Sequence, residues 1–233
     1  MMPQTDPAFW RDHAAWPLAG FVLVFGLIEI FGLDRPIANA VFFDATTGHW
    51  LGTGRGNFWA HVLIHDAGRW VLRVFAAVAL VLWLLSFKVA RLRQWRRPVG
   101  FVLLAMAVSV VLVGLLKEVT NVDCPWDLAG YGGENPYVAL FADRPDSLPR
   151  AQCFPGAHSS SGFALLCFYF VLRDRNRRAA FWALAGALTV GVVFSIAQEA
   201  RGAHFVSHDL TSAAIVWWVQ LALYAWLLKP RPR

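Results

Sequence analysis

Charged residues are scarce in this chain. Asp, Glu, Lys and Arg make up 15% of its 233 residues, whereas hydrophobic residues make up 58% and fall in long blocks. Soluble domains carry about 25% charged residues, and a bilayer crossing needs about 20 consecutive apolar ones. The composition therefore excludes an ordinary soluble protein and predicts an integral membrane protein.

The apolar blocks predict an all-α fold with six transmembrane helices in a single membrane-embedded domain, residues 1–233. They lie at 16–33, 70–87, 98–116, 163–172, 179–196 and 210–228. The fourth block is too short to cross a bilayer, so we expect its helix to begin upstream, near His158. A signal peptide is the alternative for the first block, because Ala38-Asn39-Ala40 resembles a cleavage site, but the block is longer than a signal core.

Basic residues are concentrated in segments 88–97, 173–178 and 229–233. By parity these segments share one side of the membrane, and the positive-inside rule makes it the cytoplasm. Both termini are then cytoplasmic, and the intervening loops 34–69, 117–158 and 199–209 face outward. The net charge of +6 is accounted for by this topology and by attraction to anionic headgroups, and gives no indication of nucleic-acid binding.

Cysteine is also scarce, since three residues are too few for a disulfide framework. Cys167 lies in a predicted span and is expected to pack there. Cys124 and Cys153 lie in one outward loop, where oxidation is possible. The sequence leaves open whether they form a bridge. The aromatic residues and glycines of that loop predict an ordered segment rather than a disordered connector.

The segment 153–163 predicts an anion site. Its turn-forming residues end in His158, where an apolar helix is expected to begin. The unpaired N–H groups at a helix N-terminus, with the positive end of the helix dipole, attract anions. The hydroxyls at 159–161 add N-caps and further donors. A phosphate group suits such a site.

Several polar residues share the predicted outer face with that segment, each at the end of a helix. They are Lys117, His158, Arg201, His204 and His208. Cations and imidazoles beside a helix N-terminus suit phosphoryl transfer without a metal. One histidine can be the nucleophile, a second can be the general acid, and the cations can hold the phosphate oxygens.

Other polar residues have simpler explanations. Glu29 lies near the outer end of the first predicted span, where pairing with Arg73 satisfies it. His61 and His65, on a helix expected to lie at the interface, have the spacing of a metal site but no third ligand, which favours a surface pair. Ser207 is a good N-cap for the last helix.

The outer-face residues resemble the motifs of the type 2 phosphatidic acid phosphatase (PAP2) superfamily. That family's pattern is Lys-x6-Arg-Pro, then Pro-Ser-Gly-His, then Ser-Arg-x5-His-x3-Asp. The corresponding residues here are Lys117 with Pro125, then Pro155-Gly156-Ala157-His158, then Gly202-Ala203-His204-Phe205. The separations and the six-helix plan also fit, so the resemblance covers essentially the whole chain.

This resemblance implies a PAP2-like helical bundle and a mechanism that needs no metal or other cofactor. His204 would attack phosphorus to form a phosphohistidine, and His158 would protonate the leaving oxygen and later activate water. The groups expected to bind the phosphate are Lys117, Arg201 and the backbone of Gly156, Ala157 and Ser159.

The chain departs from the family pattern within each motif. Cys124 and Gln198 stand at arginine positions, Gly156 at a serine position and His208 at an aspartate position. Arg201, three residues before His204, is expected to swing into the space of the second missing arginine. Arg144 or Arg150 is a further candidate cation.

The residue that orients the nucleophile is left open by these departures. His208 and Asp209 are both candidates to accept the His204 N–H. The motif register favours His208 slightly, because it lies four residues after His204, where the family has aspartate.

The expected function is metal-independent dephosphorylation of a lipid phosphate or diphosphate at the extracytoplasmic face. The partners are then the lipid substrate and membrane lipids, in the bacterial inner (cytoplasmic) membrane, with the site facing the periplasm or exterior. Phosphatidate, phosphatidylglycerophosphate, undecaprenyl diphosphate and lipid A phosphates all remain candidates. The alternatives are a lipid phosphotransferase and a non-catalytic protein that binds or transports lipid phosphates.

Overall fold

The computed structural model describes residues 7–229. Its main helices are α1 (Pro7–Phe31), α2 (Asp34–Val41), α3 (Phe58–Leu85), α4 (Arg96–Thr120), α5 (Ala157–Leu172), α6 (Arg177–Ala200) and α7 (Val206–Leu227). Two short strands, β1 (Phe43–Asp44) and β2 (His49–Trp50), pair antiparallel. The chain is therefore helical, as its apolar blocks predict.

Five helical segments within residues 7–229 are long and apolar enough to cross a membrane. They are α1, α3, the segment that contains α4, α6 and α7. Large apolar side chains such as Ile30, Val71 and Val111 are exposed on them, as expected of faces that contact lipid. This chain is a membrane protein. Arg231 and Arg233, from the basic segment expected after the last span, lie outside the described residues.

The fourth predicted span, α5, is shorter than the other five. It joins a 7-residue α-helical part, a 3-residue 3-10 turn at Ala164–Leu166 and a 6-residue α-helical part, a rise of about 25 Å. It begins at Ala157, which confirms the expected start near His158. Six full spans are not confirmed, because α5 lies among α4, α6 and α7 and falls short of the other five in length.

The interruption in α5 is satisfied by a polar residue of α7. Gln220, which is fully buried, donates from Nε2 to the carbonyl oxygen of Ala164 at 2.8 Å. The bond ties the turn to α7 and adds a second donor to a carbonyl that already accepts from the Cys167 N–H. Cys167, just after the turn, is buried with Phe170 and Tyr224 in the largest apolar cluster, so its predicted packing role is confirmed.

The expected separate interfacial helix before the second span is not observed. Residues Phe58–Ala67 form wide π-helical turns that run directly into Gly68–Leu85. His61 and His65 are therefore on the first turns of α3 itself. This continuity holds their rings beside the N-terminus of α5, as described below.

The long loop between α4 and α5 is ordered by covalent and ionic links. Cys124 and Cys153 form a disulfide, which answers the question that the sequence left open. Asp123 is buried and accepts hydrogen bonds from Asn135 Nδ2 and Arg144 Nη2, at 2.8 and 2.9 Å. The predicted order of this loop is confirmed, and its two ends are fixed above the helix ends.

Aromatic packing joins this loop to the turn before α7. Trp50 donates from Nε1 to the Tyr131 carbonyl at 3.1 Å and packs in one buried cluster with Tyr131 and Phe205. Gly202 adopts a φ of 73°, and a Cβ there would lie 2.4 Å from the Trp50 ring. Only glycine fits this turn, which leads the chain into His204.

Candidate active site

Four helix ends meet at one cavity of about 860 Å³. They are the C-terminal turns of α4 and α6, the N-terminus of α5 and the start of α3. The polar wall consists of Lys117, Gln152, Ala157, His158, Ser161, Gln198, Arg201 and His204. The apolar wall lies between α3 and α4 and includes Leu72, Ala76, Leu80, Leu103, Met106 and Val110.

The sequence-predicted site residues divide into two groups. Lys117, Ala157, His158, Arg201 and His204 line the cavity. Gly156, Ser159, His208 and Asp209 are buried behind that wall. The first group can touch a ligand in the cavity, whereas the second can only support those that do.

His204 is held by a carboxylate. Its Nδ1 lies 2.7 Å from Asp209 Oδ1, and both side chains are almost fully enclosed. Ser159 Oγ donates to the same Asp209 oxygen at 2.5 Å. We assign the Nδ1 proton to this contact, which leaves the Nε2 lone pair for the cavity.

The preference for His208 as the partner of His204 was therefore wrong, and the alternative, Asp209, makes the contact. His204 lies in an extended segment before α7, which begins at Val206. The family motif placed the orienting residue four positions after His204, but the turn into α7 brings the residue five positions after it, Asp209, to the ring. Their ring centroids are 6.1 Å apart.

His208 has a structural environment instead. Its ring packs edge-on against Phe154 and Phe205, with centroids 5.4 and 5.7 Å away, and bonds to the backbone of Cys153. It thereby links α7 to the disulfide-bonded loop.

Burial determines the charge of His204. Desolvation, reinforced by the nearby cations Lys117 and Arg201, lowers the pKa of His204 to about 3. The ring is neutral at neutral pH, because the enclosed pocket disfavours an imidazolium. A neutral imidazole with a free Nε2 is the form that a nucleophilic histidine requires.

A second carboxyl group, that of Glu199, lies near the Asp209 side chain. Glu199 lies one residue before the end of α6, is buried, and its carboxyl group interacts with that of Asp209. Two carboxyl groups in contact share a proton, because both cannot stay ionised in an enclosed site. Sequence reasoning missed Glu199, although a buried acid five residues before the motif histidine was a usable signal.

Gly156 leaves no room for a side chain. A Cβ there would lie 2.2 Å from Asp209 Oδ1, 2.7 Å from Ser159 Oγ and 2.8 Å from His204 Nδ1. The glycine therefore permits the His204–Asp209 contact. The serine that the family motif has at this position would collide with it.

The phosphate-binding role expected for the Gly156 and Ser159 groups changes accordingly. The Gly156 N–H donates to the His208 carbonyl at 3.1 Å, and the Ser159 hydroxyl is used by Asp209. The cavity is instead reached by Ala157 and His158, the first two residues of α5. The N-cap is Gly156, which has no side chain to cap the N–H groups of the first turn. This helix N-terminus therefore keeps its attraction for an anion.

His158 lies in a column of rings. It stacks on Phe194 on one side and meets His65 on the other, with centroids 4.5 and 4.6 Å away, and His65 stacks on His61 at 5.3 Å. Among the described residues, nothing hydrogen-bonds the buried His158 Nε2. Burial, with smaller contributions from nearby histidines and arginines, lowers the pKa of His158 to about 3, so the ring is neutral while the cavity holds no anion. A bound phosphate raises that pKa, and the imidazole can then exchange a proton with it. His65 was not foreseen as a neighbour of His158.

The cavity carries two of the expected cations. Lys117 lines it from α4, and Arg201 lines it while donating from Nη1 to Gln198 Oε1 at 3.2 Å. Burial lowers the pKa of the Arg201 guanidinium. Arg201 thus lies beside Gln198, the residue at the family's arginine position, and its substitution for that arginine stays a prediction.

The candidate cations of the outer loop do not reach the cavity. Arg144 is paired with Asp123, and Arg150 donates to the Glu118 carbonyl. Neither lines the cavity. Their charges stabilise the loop.

The N-terminus of α7 is capped differently from the prediction. Ser207 is not the N-cap, which is Phe205 without a side-chain bond. The Ser207 N–H and hydroxyl both donate to the buried carboxylate of Asp34, at 3.0 and 2.5 Å. Asp34, at the start of α2, thus fixes the turn that carries Asp209.

Two further sequence expectations concern residues other than His204 and Asp209. No bond between Glu29 and Arg73 is found among residues 7–229, and Arg73 lies over the Trp70 ring instead, at 5.5 Å. His61 and His65 do have a third neighbour, because ligand atoms of Asp66 lie within 4.8 Å of theirs.

Comparison with family models finds one match that covers more than half of the chain. The model described as "PAP2 superfamily" matches residues 98–232. This segment contains Lys117, His158, Arg201, His204 and Asp209. Comparison with curated proteins and with solved structures finds no match.

Proposed function

The chain belongs to the PAP2 superfamily, and from that premise we propose that it removes phosphate from a lipid phosphate through a phosphohistidine at His204. Members of the family are phosphatases, which supports a hydrolase of phosphate esters. The observation that carries the proposal is the pairing of His204 with Asp209 at 2.7 Å beside a cavity that Lys117, Arg201 and His158 also line.

The chemistry follows from these positions. His158 takes up a proton when the anionic substrate binds. His204 Nε2 then attacks phosphorus, and the bond from phosphorus to the lipid oxygen breaks as His158 donates that proton to the leaving oxygen. The alcohol leaves. His158 then takes a proton from water, whose oxygen attacks the phosphohistidine, and inorganic phosphate and free His204 result.

Lys117, Arg201 and the N-terminus of α5 stabilise the charge on the transferring phosphoryl group. All of them line the same cavity as His204. Fixed cations and backbone donors in a site of low polarity lower the barrier without reorganising. No step in this sequence calls on a metal ion.

The shape of the cavity supports a lipid substrate. From His65 to Leu80, two of its lining residues on α3, the helix rises about 22 Å. The wall carries Arg69 and Arg73 on the side nearer His65, is apolar beyond Arg73, and lies between two membrane-crossing helices. A lipid headgroup can therefore reach His204 while its chain stays in an apolar environment.

The outward orientation is part of the same proposal. Basic residues concentrate at the opposite helix ends, in segments 88–97 and 173–178. The Cys124–Cys153 disulfide, both of whose residues line the cavity, is compatible with an oxidising compartment. We therefore assign the site to the extracytoplasmic face, as in a bacterial inner-membrane enzyme facing the periplasm.

The test is phosphate release by the purified full-length protein in detergent. Phosphatidate, phosphatidylglycerophosphate, a polyprenyl diphosphate and lipid A are offered with a chelator present. Wild type is expected to release phosphate from at least one, and His204→Ala and His158→Ala are expected to release about 1,000-fold less or none. His49→Ala, which changes an exposed histidine of β2, is the matched control.

Other outcomes identify the alternatives. Phosphate that appears on an added lipid alcohol rather than in solution indicates a phosphotransferase. Binding of lipid phosphates without any turnover indicates a binding or transport protein. Full activity of His204→Ala sinks the catalytic assignment, and a strict need for added divalent metal overturns the metal-independent mechanism.

A further inference from the structure

Two arginines of α3 line the same cavity as His204. Arg69 and Arg73 are one helical turn apart on one face, with His65 one turn earlier. They precede residues 98–232, so the family match assigns them no role. An arginine inside an apolar membrane helix is costly and marks a functional position by default.

Neither guanidinium forms an ion pair with an acid of the described residues. Among residues 7–229, no carboxylate oxygen lies within 4.0 Å of Arg69 or Arg73. Asp66, on the same helix, lies 2.9 Å from His65 and 3.6 Å from His61. Asp66 attracts Arg69 from a longer distance, but this one carboxylate does not balance the two positive charges that line the cavity.

The Arg73 guanidinium is placed so that a ligand can bind at the edge of its plane. Its guanidinium lies over the Trp70 ring, 5.5 Å from the centroid. Contact with a ring face leaves the N–H groups at the edge of the guanidinium plane free for hydrogen bonds. Phosphate oxygens bind that edge in a bidentate manner.

The catalytic phosphoryl group has cations of its own. Lys117 and Arg201 lie on α4 and after α6, beside His204, together with the N-terminus of α5. Arg69 and Arg73 come from a different helix, along the wall that leads from the polar end of the cavity into its apolar part. This order matches a ligand with two adjacent anionic groups followed by an apolar chain.

We propose that Arg69 and Arg73 bind a second phosphate on the substrate, the one that remains on the lipid, and that the substrate is a lipid diphosphate. This rests on the function proposed above. The bond from the terminal phosphorus to the bridging oxygen breaks as His204 attacks, and the lipid monophosphate leaves with its new anionic oxygen facing the arginines. Water then takes the terminal phosphoryl group from His204 as inorganic phosphate.

The decisive experiment compares two substrates with the same tail, farnesyl diphosphate and farnesyl monophosphate. Wild type is expected to prefer the diphosphate in kcat/KM. The double variant R69Q/R73Q is expected to lose about 10- to 100-fold on the diphosphate, the range for charge-assisted hydrogen bonds, and to change less than 2-fold on the monophosphate. Arg93→Gln, an exposed arginine between α3 and α4, is the matched control.

Variants of graded charge separate this role from a structural one. R69K/R73K keeps both charges and should recover part of the diphosphate preference, whereas a structural defect would lower both activities together. Phosphatidylglycerophosphate, whose second phosphate lies beyond a glycerol, serves as a third substrate. Preference for it over farnesyl diphosphate, lost in R69Q/R73Q, would show a subsite for a separated phosphate and overturn the diphosphate assignment. Equal losses of R69Q/R73Q on all substrates, or no loss, overturn the subsite.

A binding measurement keeps the inference independent of turnover. Labelled farnesyl diphosphate and monophosphate are titrated onto His204→Ala protein with and without R69Q/R73Q. The diphosphate is expected to bind more tightly only when both arginines are present. If wild type hydrolyses nothing yet this difference is found, the proposed function fails and the subsite stands; if both ligands bind equally, the subsite fails.

Discussion

His204 Nδ1 and Asp209 Oδ1 lie 2.7 Å apart, although their residues are five positions apart and belong to different secondary structures. The contact closes a chain of buried groups that runs from the cavity through His204 and Asp209 to Ser159 and Glu199. Asp209 therefore both orients the nucleophile His204 and links α5, α6 and α7 where these helices meet.

Asp209→Asn should lower kcat by about 1,000- to 10,000-fold with little change in KM, because asparagine can hold the ring in the wrong tautomer. His208→Asn should cost less than about 10-fold in kcat and act through stability, since His208 contacts Phe154, Phe205 and the Cys153 backbone. Steady-state kinetics and melting temperatures of the two variants check this. An equal loss of kcat in both would return the orienting role to His208.

The choice between these two neighbours was beyond sequence reasoning for a specific reason. The preference for His208 rests on the family motif, in which an aspartate lies four residues after the histidine, and the sequence does not state that α7 begins at Val206. Asp34 also determines which residue contacts His204, because it binds Ser207, 173 positions away in the sequence, and fixes the first turn of α7. A long-range contact of this kind leaves no local pattern in the sequence.

The membrane segments and the motif histidines were predictable because each depends on local information. Apolar blocks reveal long helices regardless of their neighbours, and a histidine after a turn-forming run marks a helix start. The length of α5 was not predictable in this way. Its interior position and the bond from Gln220 to Ala164 depend on how four helices pack together.

Gly156→Ser, which restores the residue of the family motif, should inactivate the protein rather than improve it. The new Cβ would lie 2.2 Å from Asp209 Oδ1, so the His204–Asp209 contact must open. We expect at least about a 100-fold loss of phosphate release, by analogy with the loss of an orienting carboxylate. Gly186→Ala is the control, since a Cβ there meets nothing within 4 Å. Activity of Gly156→Ser near that of wild type would contradict the packing argument.

Glu199→Gln should keep activity near neutral pH, whereas Glu199→Leu should lose at least about 10-fold, because only glutamine retains a donor toward Asp209. Melting temperatures separate positioning from simple packing. If Glu199 acts by holding Asp209, Glu199→Leu is expected to lose kcat with little change in KM or in melting temperature. Equal kcat in both variants, or a fall in melting temperature that accounts for the loss, would remove this positioning role.

Stability should fall as the pH is lowered from about 6.5 toward 3, and His204 should be one cause. The pKa of His204 is lowered from 6.5 to about 3 by burial, so between these values the unfolded chain binds a proton that the folded chain does not. Unfolding then takes up a proton, and the free energy of unfolding decreases with decreasing pH, on the order of a few kcal/mol over the interval.

Asp34 acts in the opposite sense, because burial raises the pKa of its carboxyl group and the folded chain binds the extra proton. The His204 contribution is therefore isolated as the difference between wild type and His204→Asn in unfolding measured at pH 7 and pH 5. A smaller loss of stability in His204→Asn than in wild type is expected, and equal losses would show that His204 is charged in the folded protein or does not titrate in this range.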